Sequence, residues 1–218
     1  MTSAPRFGVC LFDLDGTLID SIGLIMASFR HTMRTHLGSV PDETRWRAGF
    51  GTPLRGQLRA FARDDEEAAR MVDTYRAYTD AHHDRLLAAY AGIDRGLAAL
   101  DRAGVRLAVV TSKTHALARR GLDRCGLNRY FDVLVGFDDV AEHKPHPAPV
   151  LAALERLGAR PSEALFVGDS PHDIRAGRAA GVRTAAVLWG PFSRQELARE
   201  APHHWLAGPE SIADLARP

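Results

Sequence analysis

From Gly92 to the end of the chain, helical patterns alternate with short apolar runs, and this alternation restricts the possible folds more than any other feature. Helix is predicted over 93–103, 114–125, 147–157 and 171–180, between the apolar runs. Strand is predicted over 106–110, 131–135, 164–167 and 183–188, where runs such as Leu107-Ala108-Val109-Val110 and Leu165-Phe166-Val167 offer no polar face. A strand of that kind has to be covered on both sides, which is the mark of a parallel sheet between layers of helices. A helix over 193–199, a weak edge strand over 204–206 and a last helix over 211–215 complete the pattern. Near the N-terminus, Val9-Cys10-Leu11-Phe12 predicts one more buried strand. The expected class is therefore α/β, with a Rossmann-like parallel sheet.

Between that first strand and Gly92 the pattern differs. Asp20 and Ser21 are helix-start residues, and Ile22, Met26, Phe29, Met33 and Leu37 then share one helical face up to Gly38, which suits a helix end. Further helix is predicted over 42–48 and 54–62, on either side of the break Phe50-Gly51-Thr52-Pro53, and then through Met71, Tyr75 and Tyr78. No strand is predicted between 41 and 90. The expected organisation is an α/β core domain formed by 1–19 and 91–218, with an all-helical domain, 20–90, inserted after the first strand. Met26, Met33, Tyr75 and Tyr78 are expected in the interior of that insertion rather than against a cofactor.

Composition narrows the function. The chain is 45% hydrophobic and 25% charged with a net charge of +1, an ordinary globular balance that gives no electrostatic case for nucleic acid or membrane as a partner. Cys10 and Cys125 are expected as buried thiols, since two cysteines in a chain of this length make neither a disulfide framework nor a zinc cluster. The histidines, including His82-His83, His143, His146, His172 and His203-His204, lack zinc-protease spacing and are expected mostly on the surface or in loops. Met-Thr-Ser-Ala-Pro-Arg at the start has no apolar stretch of signal length and no segment reaches membrane-spanning length, so a cytoplasmic location is expected. Oligomeric state is left open.

Open α/β sheets bind ligands at the carboxyl ends of their strands. At those ends stand Asp13 and Asp15, then Thr111-Ser112-Lys113, then Gly168-Asp169-Ser170-Pro171-His172-Asp173, with Glu142-His143-Lys144-Pro145-His146-Pro147 between the last two. Asp13 and Asp15 share a face if the chain stays extended, and two close carboxylates call for a cation or a proton. Each group also has a plain structural reading. Asp13-Leu14-Asp15-Gly16 closes a strand as a polar turn, Thr111 and Ser112 suit a helix cap, Lys144 suits a solvated loop, and Ser170 to Asp173 suits a helix start. Taken together, carboxylates for a hard cation such as magnesium, hydroxyls for an anion and one ammonium suit phosphoryl transfer.

Asp13-Leu14-Asp15-Gly16-Thr17-Leu18 after an apolar strand resembles the first signature of the haloacid dehalogenase-like hydrolases. Val110-Thr111-Ser112 resembles the second, Lys144-Pro145-His146-Pro147 the third, and Gly168-Asp169-Ser170 with Asp173 the fourth. The resemblance spans nearly the whole chain, and the helical insertion is similar to the family's cap. It implies that Asp13 is the nucleophile and Asp15 the general acid and base. Thr111 and Ser112 would bind the phosphoryl group, with Lys144 neutralising charge there. Asp13, Asp15 and Asp169 would hold Mg2+, Asp15 through its backbone carbonyl, and Asp173 would hold a metal-bound water or orient Lys144. Arg55, beside the Gly/Pro break, is a candidate second anion contact. The resemblance is strongest to the phosphoglycolate phosphatase and pyrophosphatase group. It implies a magnesium-dependent phosphatase acting on a small phosphate ester such as 2-phosphoglycolate, with inorganic pyrophosphate hydrolysis as the alternative and a sugar-phosphate mutase as the third option. A dehalogenase would not need Asp15, a receiver-type phospho-acceptor would be shorter, and an inactive scaffold would not need every catalytic position filled.

Overall fold

The computed structural model describes residues 7–217; the expectation that no signal segment opens the chain concerns residues 1–6, outside that range. Val9–Phe12 (β1) has all four side chains buried and takes a central place in the sheet. It pairs in parallel on one side with Arg106–Val110 (β4) and on the other with Ala164–Gly168 (β6), in registers that set Phe12 opposite both Val109 and Val167. Val133–Val135 (β5), Arg183–Val187 (β7) and His204–Leu206 (β8) complete six parallel strands in the order β5-β4-β1-β6-β7-β8. The connections are helical: Ile93–Arg102 (α5), His115–Arg124 (α6), Ala148–Leu157 (α7), Pro171–Ala179 (α8) and Arg194–Ala198 (α9). Apolar clusters lie on both faces of the sheet. One includes Phe12, Leu107 and Leu165, the other Leu11, Val110 and Phe166, as the period of two along a strand requires.

The segment between β1 and α5 holds Ile22–Leu37 (α1), Thr44–Ala48 (α2), Leu54–Arg59 (α3) and Asp65–Leu86 (α4). Met26, Met33 and Tyr75 are buried in an apolar cluster that also takes in Ile174, Ala186 and Leu197 of the sheet domain, and Phe29 stacks there on Trp46 at 4.5 Å between centroids. Tyr78 is only half-buried and stacks between His31 and His82. The prediction of helix throughout 41–90 missed one element. Ala88–Ala89 (β3) pairs antiparallel with Ile19–Asp20 (β2), so the chain enters and leaves the helical segment through a two-stranded ladder. Two further expectations are corrected. His83 is fully buried on α4 rather than at the surface, and Cys125 is half-buried although Cys10 is buried. The last helix is a 3-10 turn over Pro209–Ala216. No helix among the described residues is long and apolar enough to cross a membrane.

Candidate active site

The carboxyl ends of β1, β4 and β6 meet because these are neighbouring parallel strands, and that adjacency gathers side chains far apart in sequence. Asp13 follows β1 directly, its backbone N–H donating to the Val167 carbonyl at 2.9 Å. Asp169 follows β6, and Asp173 lies in the first turn of α8. Oxygens of these three buried carboxylates lie within 4.8 Å of one another.

Lys144 stands behind this cluster and is itself buried. Its Nζ donates to Asp13 Oδ1 at 2.6 Å, to Asp173 Oδ1 at 2.7 Å and to the Val110 carbonyl at 3.3 Å. An ammonium has three protons, so all of its hydrogen bonds are made. Burial works against its charge, but the carboxylates of Asp13 and Asp173 outweigh burial and raise its pKa. Burial also pushes Asp13 and Asp169 above the usual carboxylate range; Lys144 opposes the shift and the neighbouring carboxylates add to it.

Asp173 serves two roles at once. Its Oδ2 accepts from the backbone N–H of Ser170 at 3.0 Å and from its Oγ at 2.6 Å, closing a capping box at the start of α8, while Oδ1 holds Lys144. Asp169 is fixed from the first loop, where Thr17 Oγ1 donates to its Oδ1 at 3.0 Å and the Trp189 indole N–H in turn holds the Thr17 carbonyl at 2.9 Å. Gly16 has φ +80°, and a Cβ there would stand 2.6 Å from Asp169 Oδ2, so only glycine lets this loop close over the carboxylate.

Asp15 is placed differently from Asp13. The chain does not stay extended past Phe12, and Asp15 instead bridges back to Ile19. Its carboxylate lies outside the cluster of three and accepts from Ser21 Oγ and from Lys113 Nζ, the latter at 2.6 Å. The motif signal for Lys113 was its position after Thr111-Ser112; that it grips Asp15 had no sequence signal. Thr111 Oγ1 accepts from the Lys113 backbone N–H at 3.2 Å, and Ser112 Oγ donates to the Gly51 carbonyl at 2.7 Å across the cleft.

That cleft, of about 180 Å³, is lined from the sheet side by Asp13, Asp15, Thr111, Ser112, Lys113 and Asp169. From the helical side Gly51, Arg55 and Arg76 reach it, Arg55 as an exposed residue of the first turn of α3. Lys144 and Asp173 do not line it and act from beneath. Three carboxylates against one ammonium leave this buried centre short of positive charge, and its donors are all hard oxygens. The residues present therefore fit a divalent cation such as magnesium.

The comparisons with known proteins agree with this arrangement. A family model described as haloacid dehalogenase-like hydrolase matches residues 10–187. The chain is 45% identical over 196 residues, 90% of its length and 88% of the other's, to a PpaX protein of Caldanaerobacter subterraneus subsp. tengcongensis. It is 42% identical over 205 residues, 94% of each chain, to pyrophosphatase PpaX of Halalkalibacterium halodurans. A Lactobacillus plantarum structure described as a phosphoglycolate phosphatase superposes with a TM-score of 0.84 at 25% identity, covering 99% of this chain and 100% of that one. The span matched by the family model runs from β1 to β7 and contains every residue of the buried centre; the chain belongs to the haloacid dehalogenase-like hydrolases, in their phosphatase group.

Proposed function

We propose that the chain is a magnesium-dependent phosphatase for a small phosphate bearing a second anionic group, with inorganic pyrophosphate as the substrate. The observation that carries the reaction class is Lys144, buried, its ammonium shared between Asp13 and Asp173 beside Asp169. Such a lysine aims one Asp13 oxygen and leaves the other for attack.

In this reading Asp13 attacks phosphorus as the bond to the leaving oxygen breaks, and an aspartyl-phosphate forms. Asp15 gives the leaving oxygen its proton, then takes one from the water that cleaves the acyl phosphate. Thr111 and Ser112 offer the phosphoryl oxygens donors at the end of β4, and Lys144 balances charge as it passes from Asp13 to phosphate. Asp13 and Asp169, with the Asp15 backbone carbonyl, would hold magnesium, which when bound supplies positive charge to the phosphoryl oxygens. Residues 20–90 act as a cap over the cleft.

Pyrophosphate is favoured by the 42% identical relative named pyrophosphatase, which is covered over 94% of its length. Lys113, Arg55 and Arg76 give the cleft cations for a second anionic group. A carboxylate would use the same cations, so 2-phosphoglycolate, after the name of the structural neighbour, is the second reading.

The test is phosphate release with magnesium from pyrophosphate, 2-phosphoglycolate, sugar phosphates and nucleotides. Pyrophosphate is expected to give the highest kcat/KM, and transfer to a second hydroxyl without release would instead indicate a mutase. Asp13→Asn is expected to lower release more than about a thousandfold without loss of the fold. Arg55→Ala is expected to raise KM several-fold with kcat little changed; an unchanged KM removes Arg55 from substrate binding.

A further inference from the structure

Asp15, which in the proposed mechanism must reach the leaving oxygen, is held elsewhere. Its Oδ1 accepts from both Ser21 and Lys113. The side chains of Lys113 and Asp15 are only 15% and 19% exposed, so the pair is shielded from most solvent screening. Both residues line the same cleft as Asp13 and Thr111.

The backbone of Lys113 is pinned, with its N–H on Thr111 Oγ1 and its carbonyl accepting from Phe137 N–H at 2.7 Å. Its side chain is a point charge on a flexible four-carbon stem and is free to turn. Lys144 has no such freedom, because all three of its protons are engaged and it is buried. Arg55 and Arg76 stand exposed on the helical side. Among these cations, Lys113 is the one near the reacting centre that can exchange one oxyanion for another.

We infer that Lys113 is a positioning residue that holds the Asp15 carboxylate off the phosphoryl site until a phosphate anion draws the ammonium to itself. Substrate arrival then releases Asp15 toward the leaving oxygen. The exchange itself creates no charge: the ammonium trades a carboxylate oxygen for a phosphate oxygen, and a monoprotonated phosphate substrate brings in, on its own P–OH, the proton that the freed Asp15 passes to the leaving oxygen. Ser21, buried where β2 passes into α1, keeps Asp15 tethered at the root of the helical segment. This inference rests on the phosphatase reading above.

The test is binding of inorganic phosphate, measured by titration calorimetry in excess magnesium, to the wild type, Asp15→Asn, Lys113→Met and the double variant. In the wild type, phosphate has to break the Lys113–Asp15 pair. Asp15→Asn removes that competition, so it is expected to tighten phosphate binding by about tenfold more with Lys113 present than in the Lys113→Met background, the size of one charge-assisted contact. If Asp15→Asn tightens binding equally in the two backgrounds, only the repulsion between Asp15 and phosphate is at work and the inference is overturned. Lys113→Gln replaces Lys113→Met should the apolar side chain disturb folding, which the thermal transition of each variant reports. Failure of the wild type to bind phosphate at all overturns the phosphatase reading as well, whereas binding without coupling overturns this inference alone.

Discussion

Lys144 condenses the chemistry of the site into one side chain. A buried ammonium is costly to desolvate, and it is tolerated here because Asp13, Asp173 and the Val110 carbonyl accept all three of its protons. The dependence is mutual. Lys144→Met would leave three buried carboxylates with no counter-charge, a loss of about 3–5 kcal/mol for a broken buried pair. The expected outcome is a clear fall in Tm in chelator, larger than the fall in excess magnesium, because a divalent cation takes over part of the neutralisation. Equal losses in the two conditions would show that no cation binds among these carboxylates. The members of this cluster were legible in the sequence, since Asp13, Lys144, Asp169 and Asp173 each sit at a strand end or helix start that local pattern predicts. The orientation of Asp15 was not. It depends on Lys113, 98 residues away, and on where the loop turns at Gly16, and neither leaves a trace in residue spacing.

At the scale of elements, local pattern predicted well where an element is long enough to show a period. β1 and β6 are apolar throughout, and β4 and β7 carry polar side chains only at their starts, Arg106 in one and Arg183 and Thr184 in the other, which is sufficient for a buried strand. The ladder of β2 and β3 has two residues a side, too few for any period, and its Ala88–Ala89 strand reads as the continuation of α4. The start of α4 was within reach of sequence rules, because Asp64 and Glu67 have capping-box spacing. Asp64 accepts from the Glu67 N–H at 2.7 Å, and the Glu67 carboxylate reaches back to the Arg63 N–H at 2.7 Å. The Arg63 guanidinium and this backbone bond lower the Glu67 pKa from 4.5 to about 2. A carboxylate whose pKa is lower folded than unfolded stabilises the fold fully above its unfolded value, and the contribution is lost as pH falls through the folded one. Glu67→Gln is therefore expected to lower the urea midpoint at pH 7, with the gap to the wild type closing between about pH 5 and about pH 2. A gap that stays constant over that range would exclude the charge of Glu67 as its cause.

For the whole molecule, the two sides of the cleft are held together unequally. At the root, α4 meets α6 through Arg120, which bonds Asp84 at 3.1 Å and Asp80 at 3.5 Å, and through Arg124 on the Asp84 carbonyl at 2.9 Å. Across the mouth, the polar links are Ser112 to the Gly51 carbonyl and the longer contact of His172 with the Ala48 carbonyl, at 3.4 Å. A phosphatase has to exclude water during transfer and release phosphate afterwards, so the weaker side is where opening belongs. With the root held and the β2–β3 ladder at the junction of the halves, the helical segment would swing from its base and part at Gly51. Gly51 has φ +88°, and a Cβ there would stand 2.8 Å from Ser170 Oγ. Gly51→Ala thus adds backbone strain of about 1–2 kcal/mol and pushes the loop off the core, while making no contact of its own with Asp13, Lys144 or Asp169. The radius of gyration of the free protein, from small-angle X-ray scattering, is expected to rise. KM for the best substrate is expected to increase several-fold, and Tm to fall by only a few degrees. Unchanged scattering together with an unchanged KM would mean that the Gly51 loop does not hold the cleft closed, and opening would then have to be sought at the Arg120 and Arg124 contacts instead.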